Sequence, residues 1–290
     1  MNYYKRDLEI KDIIRQALAE DIATGDITTR TFIPKNKTVE AVILAKESFV
    51  VCGLRVASLV FKTKDKNIRF KALVDEGERV KKGKVLARIS GKADSILTCE
   101  RVALNFLSLL SGMASKTRKF VEKIKPYKVK ILDTRKTIPG LRLLSKYAVR
   151  IGGGFNHRLT LNEMVMLKDT HLKILHLENK MQNFEPVIKK IRRKKEIEIE
   201  VRNLREFKLA LKLNPDIIML DNMKMKDIRK AVQIRNALAT NPLHHSPKLE
   251  ASGGINLKNV KQVAATGIEM ISIGTLTHSV DSVDISLEIL

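Results

Sequence analysis

The 290-residue chain contains no tryptophan, and aromatic residues make up only 4% of it. Single-stranded nucleic acid is gripped by stacking on aromatic platforms, so this scarcity argues against such a partner despite a formal net charge of +23. The 36 lysines and 19 arginines run through nearly every predicted element instead of forming one stripe. That distribution reads as solvated faces with a general attraction for anions. Only two cysteines occur, Cys52 and Cys99, with 46 residues between them. They exclude a disulfide framework and a zinc-type spacing, and they fit a reducing compartment. The six histidines, at 157, 171, 176, 244, 245 and 278, show no zinc spacing either. The chain has no G-x-G-x-x-G or G-x-x-x-x-G-K-[ST] loop and no Ser-His-Asp or Cys-His set in evident register. Long apolar runs are absent too. The most apolar window, FVVCGLRVASLVF, is broken by Arg55 and is too short to span a bilayer. The N-terminal MNYYKRDLEI has no signal-peptide core. The expectation is a cytoplasmic protein with neither nucleic acid nor membrane as partner.

The apolar residues that are present are periodic. Leu8, Ile13, Ile14, Ala17 and Leu18 predict an amphipathic helix over 8–20, ending at the turn Thr24-Gly25-Asp26. Val39–Ala45 reads as a strand and Leu54–Phe61 as a helix opened by Gly53. Ile68–Val74 and Val85–Ile89 read as short strands, with turns at Gly77 and Gly83. The stretch GERVKKGKVLARISG is similar to the hairpin of lipoyl-type domains, but a compact β unit accounts for its glycines. A long helical pattern runs from about 94 to 123.

From 128 onward six short apolar segments recur: Val129–Leu132, Met164–Leu167, Ile197–Val201, Ile217–Leu220, Leu249–Ala251 and Met270–Ile273. Helical patterns at Leu204–Leu213, Met225–Leu238 and Leu257–Ala265 separate most of them. Alternating strand and helix predicts a parallel sheet. What ends each strand is more telling: Asp133 with Arg135 and Lys136, then Lys168, Glu200, Asp221 with Asn222, Ser252-Gly253-Gly254, and Gly274. In an α/β barrel these carboxyl ends converge on one face, where the chemistry sits. The pattern favours a closed or nearly closed barrel over an open sheet.

The candidate site is therefore cationic, with two carboxylates and a Ser-Gly-Gly turn. Arginines bind carboxylates in bidentate fashion, so Arg135 and Arg158 suit a ligand with rigid carboxylates, and His157 can donate to the same ligand. Lys168 ends an apolar strand and aims at the barrel mouth. Glu200 and Asp221 suit ribose hydroxyls, Mg²⁺ or a developing cation. The Ser252-Gly253-Gly254 turn and Gly274 suit a phosphate held by backbone amides. Each has an ordinary reading: surface ion pairs for the arginines, a structural histidine, salt-bridge partners for the two carboxylates. The glycines at 152–154 can simply cap the helix 141–150.

The blocks EDIATGDITT at 20–29, CERVALNFLSLLSGMAS at 99–115, DTRKTIPGLRLLSKYAVRIGGGFNHR at 133–158, LKDTH at 167–171, EIEV at 198–201, MLDN at 219–222, ASGGI at 251–255 and ISIGTLTHS at 271–279 carry a family pattern. In these the chain closely resembles the quinolinate phosphoribosyltransferase (nicotinate-nucleotide pyrophosphorylase) family. The resemblance implies reaction of quinolinate with phosphoribosyl pyrophosphate and Mg²⁺ to give nicotinate mononucleotide, pyrophosphate and CO₂, in NAD biosynthesis. It implies an N-terminal α/β sandwich over 1–113, joined by the tail 276–290, and an incomplete α/β (TIM-like) barrel over 114–275. It also implies a homodimer or dimer-based hexamer with shared active sites. Carried over by residue, Arg101 is donated across the dimer, and Arg135, His157 and Arg158 hold the quinolinate carboxylates. Lys136, Lys168 and His171 face quinolinate or pyrophosphate. Glu200 and Asp221 address the ribose hydroxyls and Mg²⁺, directly or through water. Ser252, Gly253, Gly254 and Gly274 take the 5′-phosphate. Lys136, Lys168, Glu200 and Asp221 are the catalytic set. One departure stands out: the family usually reads K-D-N-H where this chain has Lys168-Asp169-Thr170-His171. A phosphoribosyltransferase with another acceptor, or a nucleic-acid binder, is the competing reading, and the carboxylates in the basic cleft argue against the latter.

Overall fold

A computed structural model of the chain describes residues 6–174, 185–192, 194–238 and 246–290, so His176, His244 and His245 lie outside the described residues. Two compact units emerge: one is Met1–Arg118 with Thr137–Gly153 and Thr275–Leu290, the other Lys119–Lys136 with Gly154–Gly274.

The first unit contains α1 (Asp7–Ile22), α2 (Ile27–Phe32), β1 (Thr38–Ala45), β2 (Phe49–Val50), α3 (Leu54–Lys64), β3 (Arg69–Ala72), β4 (Arg79–Val80), β5 (Val85–Lys92) and most of α4 (Ala93–Lys123). The later segments add α5 (Arg142–Ile151), α11 (Thr275–His278) and β12 (Ile285–Ile289). Its antiparallel sheet has the order β12-β1-β5-β3. α1 buries Ile10, Ile14 and Leu18, a four-residue spacing that keeps one stripe facing the core. Each such burial stabilises by roughly 1.5–3 kcal/mol. α2 was not expected from periodicity. It is one short helix, and its signal is Asp26, whose carboxylate accepts from the Thr29 N–H at 2.9 Å as an N-cap. α3 begins at Gly53, which has no side chain to cap with. The half-buried Glu76 carboxylate does so instead, accepting from the N–H groups of Gly53 at 2.8 Å and Arg55 at 3.3 Å. Burial pushes its carboxyl up.

α4 is long and apolar enough to cross a membrane, but most of its apolar window is buried, as in the core helix of a folded domain. Its Ser111 hydroxyl bridges the Cys52 N–H and C=O at 3.0 and 3.1 Å. The C-terminal strand β12 pairs with β1 from Ala41↔Ile289 to Ala45↔Ile285. Gly112 permits the chain leading to it: a Cβ there would lie 2.2 Å from the Asp281 carbonyl oxygen. Gly152 is the C-cap of α5, so the helix-capping reading of the glycine run holds for its first member.

The second unit contains β6 (Lys130–Leu132), β7 (Val165–Leu167), α6 (Asp169–Ile174), α7 (Glu185–Arg192), β8 (Ile197–Val201), α8 (Leu204–Lys212), β9 (Ile217–Asp221), α9 (Met225–Leu238), β10 (Lys248–Ser252), α10 (Val260–Ala264) and β11 (Met270–Ser272). The six strands predicted from sequence are all present, all parallel, in the order β6-β11-β10-β9-β8-β7. The chain is thus an α/β protein with an antiparallel-sheet unit and a parallel-sheet unit. Among the described residues β6 and β7 do not pair with each other, so the parallel sheet is open between them. The free edge of β6 instead meets Phe155 in a parallel bridge to Leu132. The Phe155 N–H donates to the Ile131 carbonyl at 2.8 Å, and its carbonyl accepts from the Asp133 N–H at 3.1 Å. α8 opens with a side-chain cap close in form to a capping box. Asn203 accepts from the Glu206 N–H at 2.9 Å, and Glu206 accepts from the Arg202 N–H at 2.8 Å.

Candidate active site

The carboxyl ends of the parallel strands enclose a cleft of about 540 Å³. Arg135, Lys136, His157, Arg158, Lys168, Glu200, Asp221, Ser252, Gly253 and Gly254 line it. Strand polarity explains the convergence: all six strands run the same way, so their last residues share one end. Residues after both edge strands, Lys136 after β6 and Lys168 after β7, reach this one cleft, so the sheet curls although it does not close. A second cavity of about 610 Å³ lies among α7, α8 and α9 and contains none of the candidate residues.

Three candidates are elsewhere. Arg101 is exposed on α4 in the first unit. His171 is exposed on the first turn of α6, where its Nδ1 accepts from the Lys168 N–H at 3.0 Å. Gly274 follows β11 and is not part of the cleft lining.

Within the cleft, Lys168 Nζ lies 3.7 Å from Glu200 Oε2. Burial raises the Glu200 carboxyl, while Lys168 lowers it and Asp221 raises it. The buried Nε of Arg135 has no hydrogen-bond partner among the described residues. The Arg158 guanidinium is held by the Met164 carbonyl at 3.0 Å and contacts Met166 Sδ at 3.4 Å. Burial, and then the neighbouring Arg135, push its pKa down. Two partly desolvated guanidinium groups close enough to oppose each other's charge suit a ligand that brings its own negative charges.

The turn after β10 depends on glycine. Gly253 has φ +86°, and a Cβ there would fall 2.2 Å from Asn222 Oδ1. Asn222, itself at φ 53°, donates its N–H to the Ser252 carbonyl at 2.8 Å, tying the ends of β9 and β10 together. Its Nδ2 donates to Asp221 Oδ2 at 3.0 Å. The Gly254 carbonyl accepts from Asn259 Nδ2 at 2.9 Å.

His157 and Arg158 follow no strand. The bridge of Phe155 to β6 delivers them, and the fully buried Asp133 pins the backbone by accepting from the His157 N–H at 3.0 Å and from Asn156 Nδ2 at 2.5 Å. The imidazole Nδ1 accepts from the Arg158 N–H at 2.8 Å. Nε2 is turned inward, 3.0 Å from Glu198 Oε2 and 3.7 Å from Glu250 Oε2.

Glu198 and Glu250 are the residues that sequence reasoning missed. Both are fully buried, and desolvation pushes each carboxyl up to about 8. A signal existed. Residues two apart on a strand share a face, so Glu198 lies below Glu200, and Glu250 below Ser252. Met166, Met219, Thr134 and Ser272 complete the lining without having been singled out.

Two family models match almost the whole chain: "Quinolinate phosphoribosyl transferase, N-terminal domain" over residues 26–111 and "Quinolinate phosphoribosyl transferase, C-terminal domain" over 113–288. A probable nicotinate-nucleotide pyrophosphorylase [carboxylating] of Methanocaldococcus jannaschii is 40% identical, with 98% of each chain covered. The chloroplastic nicotinate-nucleotide pyrophosphorylase [carboxylating] of Arabidopsis thaliana is 38% identical over 97% of this chain and 83% of its own. The crystal structure of nicotinate-nucleotide pyrophosphorylase from Ehrlichia chaffeensis superposes with a TM-score of 0.88 at 38% identity, covering 96% of this chain and 98% of that one. With its strand-end cations, its two carboxylates and its glycine turn all in one cleft, the chain belongs to the quinolinate phosphoribosyltransferase family, the nicotinate-nucleotide pyrophosphorylases (carboxylating) of NAD biosynthesis.

Proposed function

We propose that the cleft joins quinolinate to phosphoribosyl pyrophosphate, releasing pyrophosphate and CO₂ and leaving nicotinate mononucleotide. The observation that carries this is the convergence of Arg135, Lys136, Arg158 and Lys168 with Glu200, Asp221 and the Ser252-Gly253-Gly254 turn on one cleft. Arg135 and Arg158 take the two quinolinate carboxylates, with His157 in the wall between them. The partnerless Arg135 Nε supports that role. The Ser252-Gly253-Gly254 turn takes the 5′-phosphate on its backbone amides, with Gly274 nearby in sequence.

Cleavage of the bond between the anomeric carbon and pyrophosphate leaves positive charge on the sugar and negative charge on the leaving group. Glu200 and Asp221 hold the ribose hydroxyls and stabilise the first. Lys136 and Lys168, with His171 beside Lys168, stabilise the second. The quinolinate ring nitrogen attacks. Its new positive charge then accepts the electron pair left when the 2-carboxylate departs as CO₂, so no enzyme nucleophile is required. Glu200 and Asp221 offer hard oxygen donors, with the Asp221 charge adding to the burial that raises the Glu200 carboxyl, and this suits Mg²⁺. Bound there with phosphoribosyl pyrophosphate, Mg²⁺ supplies charge neutralisation.

The same reading makes the protein a homodimer, or a hexamer built from dimers, in which the exposed Arg101 serves the neighbouring subunit's cleft. It places the domain boundary near residue 113, with 276–290 returning to the N-terminal domain; the pairing of β12 with β1 supports that return. It places the enzyme in the cytoplasm, in keeping with two buried free cysteines. The test is formation of nicotinate mononucleotide from phosphoribosyl pyrophosphate with quinolinate or with nicotinate. Nicotinate lacks the 2-carboxylate and leaves a desolvated cation without its partner, a cost of roughly 2–5 kcal/mol. Comparable efficiency with both acids would overturn the assignment.

A further inference from the structure

The cluster of His157, Glu198 and Glu250 brings three potential ligand atoms within 4.8 Å of one another, beneath the cleft. A divalent ion is the obvious occupant to consider, and the hydrogen bonding argues against it. A backbone N–H can only donate, and the Arg158 N–H donates to His157 Nδ1 at 2.8 Å. That nitrogen must therefore present its lone pair, which leaves the ring proton on Nε2. A protonated Nε2 cannot bind a metal. It can donate, and it faces Glu198 Oε2 at 3.0 Å.

The carboxylates need such a donor. Both side chains are fully buried; His157 Nε2 stands 3.0 Å from Glu198 Oε2 as a close contact short of hydrogen-bond alignment, and Ser272 lies beside Glu250. Glu198 is the nearer acceptor, and Glu250 stands behind it at 3.7 Å. A relay of contacts results: the Glu198 carboxyl, 3.0 Å from Nε2, favours the ring proton on that side and leaves Nδ1 to accept from the Arg158 N–H. The Met164 carbonyl fixes the other end of Arg158 at 3.0 Å.

We propose that Glu198, acting through His157, is a positioning residue for Arg158, and that His157 serves quinolinate through this relay and not as a hydrogen-bond donor to the acid. The proposal rests on the reading of Arg158 as a quinolinate carboxylate ligand. It refines the sequence-based role of His157, since Nδ1 accepts from the Arg158 N–H and Nε2 is turned inward against Glu198.

The experiment has two arms. In the first, histidine-selective ¹⁵N NMR of the wild-type protein, assigned with His157→Gln, reads the ring. The expected spectrum has Nδ1 of the unprotonated, pyridine-like type and Nε2 protonated. A protonated Nδ1 would overturn the proposal. This arm needs no activity and no folded Glu198 variant. In the second, steady-state kinetics compare Glu198→Met with Glu198→Gln, both checked for wild-type secondary structure. Loss of the acceptor in Glu198→Met is expected to raise KM for quinolinate about tenfold, the scale of one lost hydrogen bond to a buried group. KM for phosphoribosyl pyrophosphate should change less, by about twofold, since Glu198 couples more strongly to Arg158 than to Glu200 and Lys168. Glu198→Gln keeps an acceptor oxygen and should restore most of the quinolinate KM. A folded Glu198→Met with unchanged quinolinate KM, or one raising both KM values equally, would overturn the relay. Absence of nicotinate mononucleotide formation by the wild-type enzyme would instead defeat the functional assignment, while the NMR arm still decides the tautomer.

Discussion

Replacing Glu250 by glutamine should make the protein more stable at neutral and alkaline pH, because the carboxyl is fully buried and pushed from 4.5 up to about 8. The largest cause is desolvation, followed by the neighbouring Glu198, with His157 acting in the opposite direction. The sign follows from linkage. Below about pH 4.5 both the folded and unfolded states hold the proton, and the group contributes no pH dependence. As pH rises toward 8 the unfolded chain releases its proton while the folded protein keeps it, so stability is lost across that interval and levels off above it. Each pH unit is worth about 1.4 kcal/mol, which sets a ceiling of roughly 5 kcal/mol; local relaxation leaves about 2–4 kcal/mol. Glutamine keeps the volume and cannot ionise. Urea denaturation of wild type and Glu250→Gln between pH 4.5 and 9 reads the difference directly; titrating groups remote from Glu250 cancel in it, and the coupled Glu198 and His157 are part of the same effect. The two curves should lie close together at pH 4.5 and separate by about 2–4 kcal/mol at pH 8.5. Parallel curves, or a variant that falls below wild type as pH rises, would refute the buried-carboxyl argument.

Three further outcomes are expected. Glu200→Ala and Asp221→Ala should each lower kcat by about a hundredfold or more while leaving quinolinate affinity nearly intact, because their partners are the ribose and Mg²⁺; isothermal titration with quinolinate checks the second half. Gly253→Ala should raise KM for phosphoribosyl pyrophosphate at least about tenfold, since the new Cβ meets Asn222 at 2.2 Å and the backbone sits at φ +86°; an unchanged KM would remove this turn from the phosphate site. Arg101→Ala and Arg135→Ala should each be inactive alone. Mixed under subunit exchange they should regain activity at about a quarter of all sites, because half the dimers are mixed and each mixed dimer holds one intact site. Exchange without recovery would confine Arg101 to its own subunit.

Much of this arrangement was legible in the chain before any coordinates. The recurring short apolar segments and the helical patterns located all six parallel strands and the helices α8 and α9 within a residue or so. Strand polarity then sent Lys136, Lys168, Glu200, Asp221 and Ser252 to one end. These are local properties: a strand's direction and its side-chain alternation follow from its own residues. A short helix such as α2 escaped because its six residues make fewer than two turns, too few for a hydrophobic period to repeat, and its marker is the Asp26 cap.

Tertiary structure alone decided the rest. Among the described residues the parallel sheet is open between β6 and β7, and at that edge the Phe155 bridge carries His157 and Arg158 into the cleft from outside the strand-end pattern. Glu198 and Glu250 sit on strands separated by β9, and only the curvature of the sheet and the path of the 155–158 loop bring both to one imidazole. A sequence states which face of a strand a carboxylate occupies. What waits on that face, water or a histidine with a single ring proton, is set by elements more than forty residues away, and so are the burial and hydrogen bonding that give the residue its chemistry.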